Sequence, residues 1–169
     1  IDGDGFSYVY LDEQNGSDDD IGVFAEPVAS LQKAILLAYE RNEDAVIIAG
    51  GKYDLKDVLF KIGIDLLGGY DGTTFIDHSN KRDIRKSDSP YGTYLYNSGS
   101  TVTLSLGSDV GSITVEGFHI ENTLESQSST TVKLEETSVI LRGNTIFINA
   151  EASFSKGIEV IGGTPVIEA

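Results

Sequence analysis

The feature that most constrains this chain is a strand-sized pattern that returns at a nearly constant interval. Ser112-Ile113-Thr114-Val115 aligns with Ser138-Val139-Ile140-Leu141 at a shift of 26 residues, and the latter aligns with Pro165-Val166-Ile167-Glu168 at a shift of 27. Gly117-Phe118-His119-Ile120-Glu121-Asn122 matches Gly143-Asn144-Thr145-Ile146-Phe147-Ile148 at 26, and Thr131-Val132-Lys133-Leu134 matches Gly157-Ile158-Glu159-Val160 at 26. A period in the mid-twenties that holds three short strands and Gly or Asn corners fits one winding of a parallel β-helix. Each winding then lies about 4.8 Å above the last, and inward side chains stack into apolar columns. Ile113 over Val139 over Val166, and Val132 over Ile158, are the expected columns. A β-sandwich of many short strands is the structural alternative.

The rest of the chain organises around that core. From Pro27 to Arg41 the apolar positions Val28, Leu31, Ile35, Ala38 and Tyr39 keep helical spacing, with Pro27 at the first helical position. Strand-length runs follow at 45–49, 57–60 and 64–67, separated by Gly50-Gly51, Gly63 and Gly68-Gly69. The chain therefore reads as one β-helix domain over 1–169. Its parts are an acidic segment with one strand at 1–26, a capping helix at 27–41, first coils at 42–70, a protruding loop at 71–92, and further coils of about 26 residues at 93–169.

Charge narrows the partners. Twelve Lys and Arg stand against 27 Asp and Glu, a formal net charge of −15, and the pI is near 4.3. Such a surface repels phosphate backbones and anionic lipid, so neither a nucleic-acid partner nor membrane binding is expected. No apolar run reaches the roughly 18–20 residues that span a bilayer, so no membrane insertion is expected. Cations, cationic proteins or neutral glycans fit better. The chain has no Cys, which removes disulfides, thiolate metal sites and Cys nucleophiles together. It also has no Met, and Ile1-Asp2-Gly3-Asp4-Gly5 reads as the interior of a longer protein with more coils to follow.

Four segments then carry a family likeness: Tyr8-Val9-Tyr10-Leu11, Asn15-Gly16-Ser17-Asp18-Asp19-Asp20, Pro27-Val28-Ala29-Ser30-Leu31-Gln32-Lys33-Ala34-Ile35, and Ala45-Val46-Ile47-Ile48-Ala49-Gly50-Gly51-Lys52-Tyr53. Together they resemble the opening of right-handed β-helix proteins of the pectate-lyase-like superfamily, closest to exported bacterial members that carry a domain of unknown function. Ile64-Asp65-Leu66-Leu67-Gly68-Gly69-Tyr70 is similar to the next coil of those proteins. The likeness covers about residues 8–70. It implies an all-β, right-handed single-stranded parallel β-helix with an N-terminal capping α-helix, located outside the cell or at the surface of a bacterium. The superfamily mixes polysaccharide lyases, glycoside hydrolases, adhesins and passive stalks. None of its catalytic positions maps onto a residue of this chain. The expected role is thus a non-enzymatic structural or binding module, adhesin-like or a stalk or assembly element. A lyase or hydrolase acting on acidic glycans and a calcium-stabilised carbohydrate-binding module are the alternatives. A glycan or protein partner, or a second copy joined end to end, would complete it.

The candidate sites follow from residue chemistry. Asp12, Asp18, Asp19 and Asp20 offer hard oxygen ligands for Ca²⁺, the one cofactor expected, with a solvated acidic turn as the plainer reading of the same residues. Asp2-Gly3-Asp4-Gly5 supplies only a fragment of a calcium loop. Lys81, Arg82, Arg85 and Lys86 form a basic cluster suited to uronate carboxylates, or with Asp77 or Asp83 to a lyase site, or simply to loop solubility. Tyr70, Tyr91, Tyr94 and Tyr96 lie in or beside that loop and suit stacking on sugar rings or anchoring a protein. His78 and His119 have no second His or Cys at ligand spacing, and His119 is expected to face outward between Phe118 and Ile120. Asn122, Asn144 and Asn149 fall at strand ends, where a buried Asn ladder would satisfy corner backbone groups.

Overall fold

Short β-branched and aromatic runs bounded by glycine form strands too short to stand alone, and each needs neighbours on both edges. In the computed structural model, which describes residues 7–70, 92–124, 128–148 and 154–168, they find those neighbours in parallel. The elements are β1 (Tyr8–Leu11), α1 (Leu31–Arg41), β2 (Ala45–Ala49), β3 (Gly51–Asp54), β4 (Asp65–Tyr70), β5 (Thr93–Tyr96), β6 (Val102–Leu106), β7 (Thr114–Glu116), β8 (Phe118–Glu121), β9 (Ser128–Thr137), β10 (Ile140–Arg142), β11 (Thr145–Phe147), β12 (Phe154–Gly163) and β13 (Val166–Glu168), with a 3-10 turn at Ser108–Val110.

Three sheets result among the described residues, ordered β1-β2-β4-β7-β10-β13, β11-β8-β5-β3 and β12-β9-β6, and none closes on itself. Every pairing between these strands is parallel. A parallel neighbour cannot be reached by a tight hairpin, so the chain must leave a sheet before it can return beside itself. From β4 onward it visits the six-, four- and three-stranded sheets in fixed rotation. This excludes the antiparallel layers of a sandwich. The fold is mostly β and parallel.

The register agrees with the repeat in most places. Thr114 pairs with Ile140, His119 with Thr145, and Val132 with Ile158, each a step of 26 residues. The shift of 27 for the last segment is corrected. Ile140 pairs with Val166 and Leu141 with Ile167, so the step there is again 26. A slip of one residue turns every side chain of a strand to the other face. The observed register sets Ile167 beside Leu141, which is 1% exposed, whereas a step of 27 would set Glu168 there. The column Ile113–Val139 therefore continues to Pro165 and not to Val166.

Two element boundaries also differ from expectation. The helix begins at Leu31 rather than Pro27, because Ser30 is its N-cap, in extended conformation with Oγ accepting from Lys33 N. The residues before it are used otherwise: Val28 N donates to the Tyr10 carbonyl and the Val28 carbonyl accepts from Asp12 N, so this stretch runs beside β1. Asn42, in the left-handed conformation, ends the helix by donating its N–H to the Ala38 and Tyr39 carbonyls. The run 57–60 is not a strand, since Asp57 at φ 62° opens a turn in which Val58 N meets the Leu55 carbonyl. Conversely, β3 starts at Gly51, which the glycine pair had marked as a separator.

Side chains alternate between two environments along each strand. Val9, Leu11, Val46, Ile48, Leu66, Val115 and Leu141 of the six-stranded sheet meet Tyr53, Leu95, Phe118 and Ile120 of the four-stranded sheet and Leu104, Leu106, Val132 and Leu134 of the three-stranded sheet in one core. Leu31, Ala34, Ile35 and Ala38 of α1 join that core over β1 and β2. The helix thereby covers one end of the stack of strands. A second, smaller cluster of Tyr10, Ile47, Ala49 and Tyr70 lies on the opposite face of the six-stranded sheet.

Candidate binding face

The four-stranded sheet buries Tyr53, Leu95, Phe118, Ile120 and Ile146 toward the core, so the residues between them must face away. Parallel register sets these outward residues in two rows. Lys52, Tyr94, His119 and Thr145 form one, and the positions of Asp54, Tyr96, Glu121 and Phe147 form the other. The Tyr94 and His119 rings stack with centroids 4.8 Å apart and planes 21° from parallel, and His119 continues to Phe147 at 6.0 Å and 25°. Lys52 Nζ stands 5.8 Å from the centre of the Tyr94 ring, within cation–π range. The result is a cationic end, three aromatic rings in file and flanking carboxylates at Asp54 and Glu121.

His119 is the unusual member. It is 6% exposed, and its Nδ1 is buried with no hydrogen-bond partner. Burial pushes its pKa below the ordinary value, against the opposing pull of Glu121, so the ring is neutral at neutral pH. A neutral imidazole between aromatic rings continues the stack without adding charge.

Beside Lys52 a shallow cavity of about 160 Å³ opens, lined by Glu13, Ala29, Ser30, Leu31, Lys52, Tyr53 and Asp54. Its polar groups are committed to the fold. Tyr53 Oη donates to the Ala49 carbonyl and accepts from Glu13 N, and burial holds this phenol well above its ordinary pKa. Glu13 Oε2 accepts from Lys52 N. Asp54 accepts from the Lys56 and Ser98 amides and the Ser98 hydroxyl; burial opposes its ionisation, but these bonds outweigh it and lower its pKa.

The carboxylates considered for Ca²⁺ are placed separately. Asp12 is 2% exposed and accepts from Gln14 N, Asn15 N and Asn15 Nδ2. Asp18 accepts from Ala29 N at 3.1 Å, Ser30 N at 2.8 Å and Ser30 Oγ at 2.7 Å, and so anchors the start of α1. Asp19 N and Asp20 N are held by Ser17, and the Asp19 side chain is exposed. Among the described residues no group of three or more His, Cys, Asp or Glu converges as a metal cage would. Asp18 has a testable signature. Burial opposes its charge, yet the bonds from Ser30 and Ala29 prevail and its folded pKa lies below 3.8. Its contribution is fully present above the unfolded value and is lost as pH falls through the folded one. Asp18→Asn is therefore expected to lower stability near pH 6 and to flatten the acid limb of stability against pH. Urea midpoints between pH 2 and 7 check this, and an unchanged limb would reject the role.

Of the tyrosines singled out from sequence, Tyr94 and Tyr96 share the outward face of β5, whereas Tyr70 is buried in the smaller cluster on another sheet. Tyr91, Lys81, Arg82, Arg85 and Lys86, with His78, Asp77, Asp83 and Asn149, lie outside the described residues. Lys52, Phe147 and the stacked role of His119 were missed. The alignment of β8 with β11 at a step of 26 already set His119 and Phe147 on one face, and following that step further would have found the row. Asn122 and Asn144 act at corners without stacking on one another as a ladder would. Asn122 Nδ2 donates to the Thr101 carbonyl, while Asn144 spans the Val115 carbonyl and Phe118 N at a different corner. No protein-family model, no curated protein and no solved structure matches this chain.

Proposed function

We propose that this chain is a helix-capped stretch of right-handed parallel β-helix from an exported or surface-displayed bacterial protein, and that it serves as a rigid, non-enzymatic module that binds neutral glycan on the outer face of β3, β5, β8 and β11. The fold reading is supported by the fixed rotation of the strands among three parallel sheets at a step of 26 residues. The binding reading rests on one observation, the file of Tyr94, His119 and Phe147 rings beside Lys52. The face of Phe147 turned away from His119, in a residue 42% exposed, stacks on the C–H face of a sugar, and the Glu121 carboxylate accepts from sugar hydroxyls. A net charge of −15 disfavours acidic glycans at the same place.

A panel of immobilised neutral and acidic glycans tests this. Retention of a neutral glycan is expected, weakened by about 2- to 10-fold for each ring removed in Tyr94→Ala and Phe147→Ala, as about 0.5–1.5 kcal/mol per ring implies. Both residues are partly exposed, so circular dichroism should be unchanged. Failure to retain any glycan, or retention that survives the double substitution, would reject the reading.

A further inference from the structure

Asn15-Gly16 is the one Asn-Gly pair in the chain. Such a pair can modify itself, because glycine has no side chain to shield its amide nitrogen from the Asn side chain before it. In that reaction Gly16 N gives its proton to water or hydroxide and attacks Asn15 Cγ; the new N–Cγ bond closes a cyclic imide, and Nδ2 leaves as ammonia. Water then opens the imide. Breaking N–Cγ gives Asp. Breaking the bond from Gly16 N to the Asn15 backbone carbonyl gives isoaspartate, in which the main chain runs through Cβ and Cγ and is one atom longer.

In the fold, Asp12 engages both reacting groups. Its backbone carbonyl accepts from Gly16 N at 2.9 Å and its Oδ2 from Asn15 Nδ2 at 2.9 Å, while Oδ1 accepts from Gln14 N and Asn15 N. Asp12 is itself fixed, being 2% exposed and donating its N–H to the Val28 carbonyl. The amide that must attack and the side chain that must turn toward it are thus both tied down. Neither product fits the same place. Asp at position 15 would set a second carboxylate against Asp12 Oδ2, where a donor now stands. Isoaspartate would lengthen the chain beside Gly16, where even a Cβ would meet three backbone oxygens at 2.5, 2.5 and 2.7 Å. We propose that Asn15-Gly16 is a self-modification site of the unfolded chain, that Asp12 withholds it in the folded one, and that its deamidation permanently weakens the docking of the acidic loop on the stretch leading into α1. A spell of unfolding is thereby recorded in the covalent structure.

Peptide mass mapping of position 15 tests the proposal, on the 169-residue chain held in buffer and in denaturing guanidinium chloride at the same mildly alkaline pH. Deamidation is expected about 100-fold faster or more in denaturant, at about tenfold for each of the two hydrogen bonds that must open. Asp12→Ala with unchanged circular dichroism should deamidate about tenfold or more faster than wild type in buffer. The wild-type comparison needs no variant and decides the matter even where Asp12→Ala does not fold. The chain has no Cys and no Met to oxidise while it ages. Wild-type chain aged in denaturant and returned to buffer should therefore unfold at a lower urea midpoint than fresh chain, whereas Asn15→Gln, whose longer side chain closes the ring far more slowly, should keep its own midpoint after the same treatment. Equal rates in buffer and denaturant, a folded Asp12→Ala no faster than wild type, or an aged wild type whose midpoint falls no further than that of aged Asn15→Gln would overturn it. None of these readouts involves glycan, so the outcome is independent of the proposed binding face.

Discussion

Phe118→Ala is expected to lower stability by about 3–5 kcal/mol, the usual cost of deleting a fully buried aromatic side chain, and to lower the melting temperature by about 10 °C or more. Phe118 is 1% exposed and is the largest fully buried side chain among the described residues. It sits at the start of β8, just after the corner that follows β7. Its ring fills space left open by Gly68 in β4: a Cβ there would stand 2.7 Å from Phe118 Cε1, 2.8 Å from Cδ1 and 2.9 Å from the Gly117 carbonyl oxygen. Those contacts give the prediction a second arm. Gly68→Ala should itself destabilise by overpacking, and Phe118→Leu in the same chain should recover part of that loss, because the ring is removed while the Gly117 carbonyl stays. Thermal melts of the single and double variants measure the coupling. A Phe118→Ala loss below about 1 kcal/mol, or strict additivity with Gly68→Ala, would mean that the two sheets do not meet here as described.

Gly16→Ala should be nearly as costly, about 3 kcal/mol, at the upper end of ordinary overpacking. An added methyl would come within 2.5 Å of the Asp12 and Val28 carbonyl oxygens and 2.7 Å of that of Pro27. All three are backbone atoms, and all three are already engaged: Gly16 N donates to the Asp12 carbonyl, Ser17 N to that of Pro27 and Asp12 N to that of Val28. The segment cannot yield without separating the acidic loop from the stretch that leads into α1. Gly63→Ala is the matched control, because at φ 76° with nothing within 4 Å it carries only the backbone strain of about 1 kcal/mol. Urea unfolding should therefore rank Gly16→Ala well below Gly63→Ala. Equal losses would show that the acidic loop does not press on the start of the helix.

Much of this architecture was legible in the sequence because a parallel wall repeats its pattern in register with itself. The match between 117–122 and 143–148 became the pairing of β8 with β11, and Val132 with Ile158 paired as expected. The error at Val166 arose where identity and register competed: a shift of 27 lines up Val139 with Val166 and Ile140 with Ile167, but a shift of 26 keeps Glu168 off the apolar column. The helix start was misplaced because Pro27 and Val28 fit helical spacing, while the capping role of Ser30 depends on Asp18, twelve residues away in sequence. The part that the acidic cluster plays in the fold was illegible for a similar reason. Composition showed the carboxylates, but not that Asp12 and Asp18 bind backbone amides. Of the candidate face, Tyr94 and Tyr96 were legible as residues. Their row with Lys52, His119 and Phe147 was not, since it joins four strands across 96 positions, from 52 to 147 inclusive.

The constant step has a consequence for how such a gene can change length. Because partners in β7, β10 and β13 are separated by 26 residues each time, duplicating one whole step adds a layer that matches the layers on either side. Gain or loss of a single codon inside a strand instead inverts that strand, sending its oily residues to water. Growth in this scaffold is therefore quantised: tandem copying of complete units is tolerated, and small frame-preserving insertions survive only at the corners.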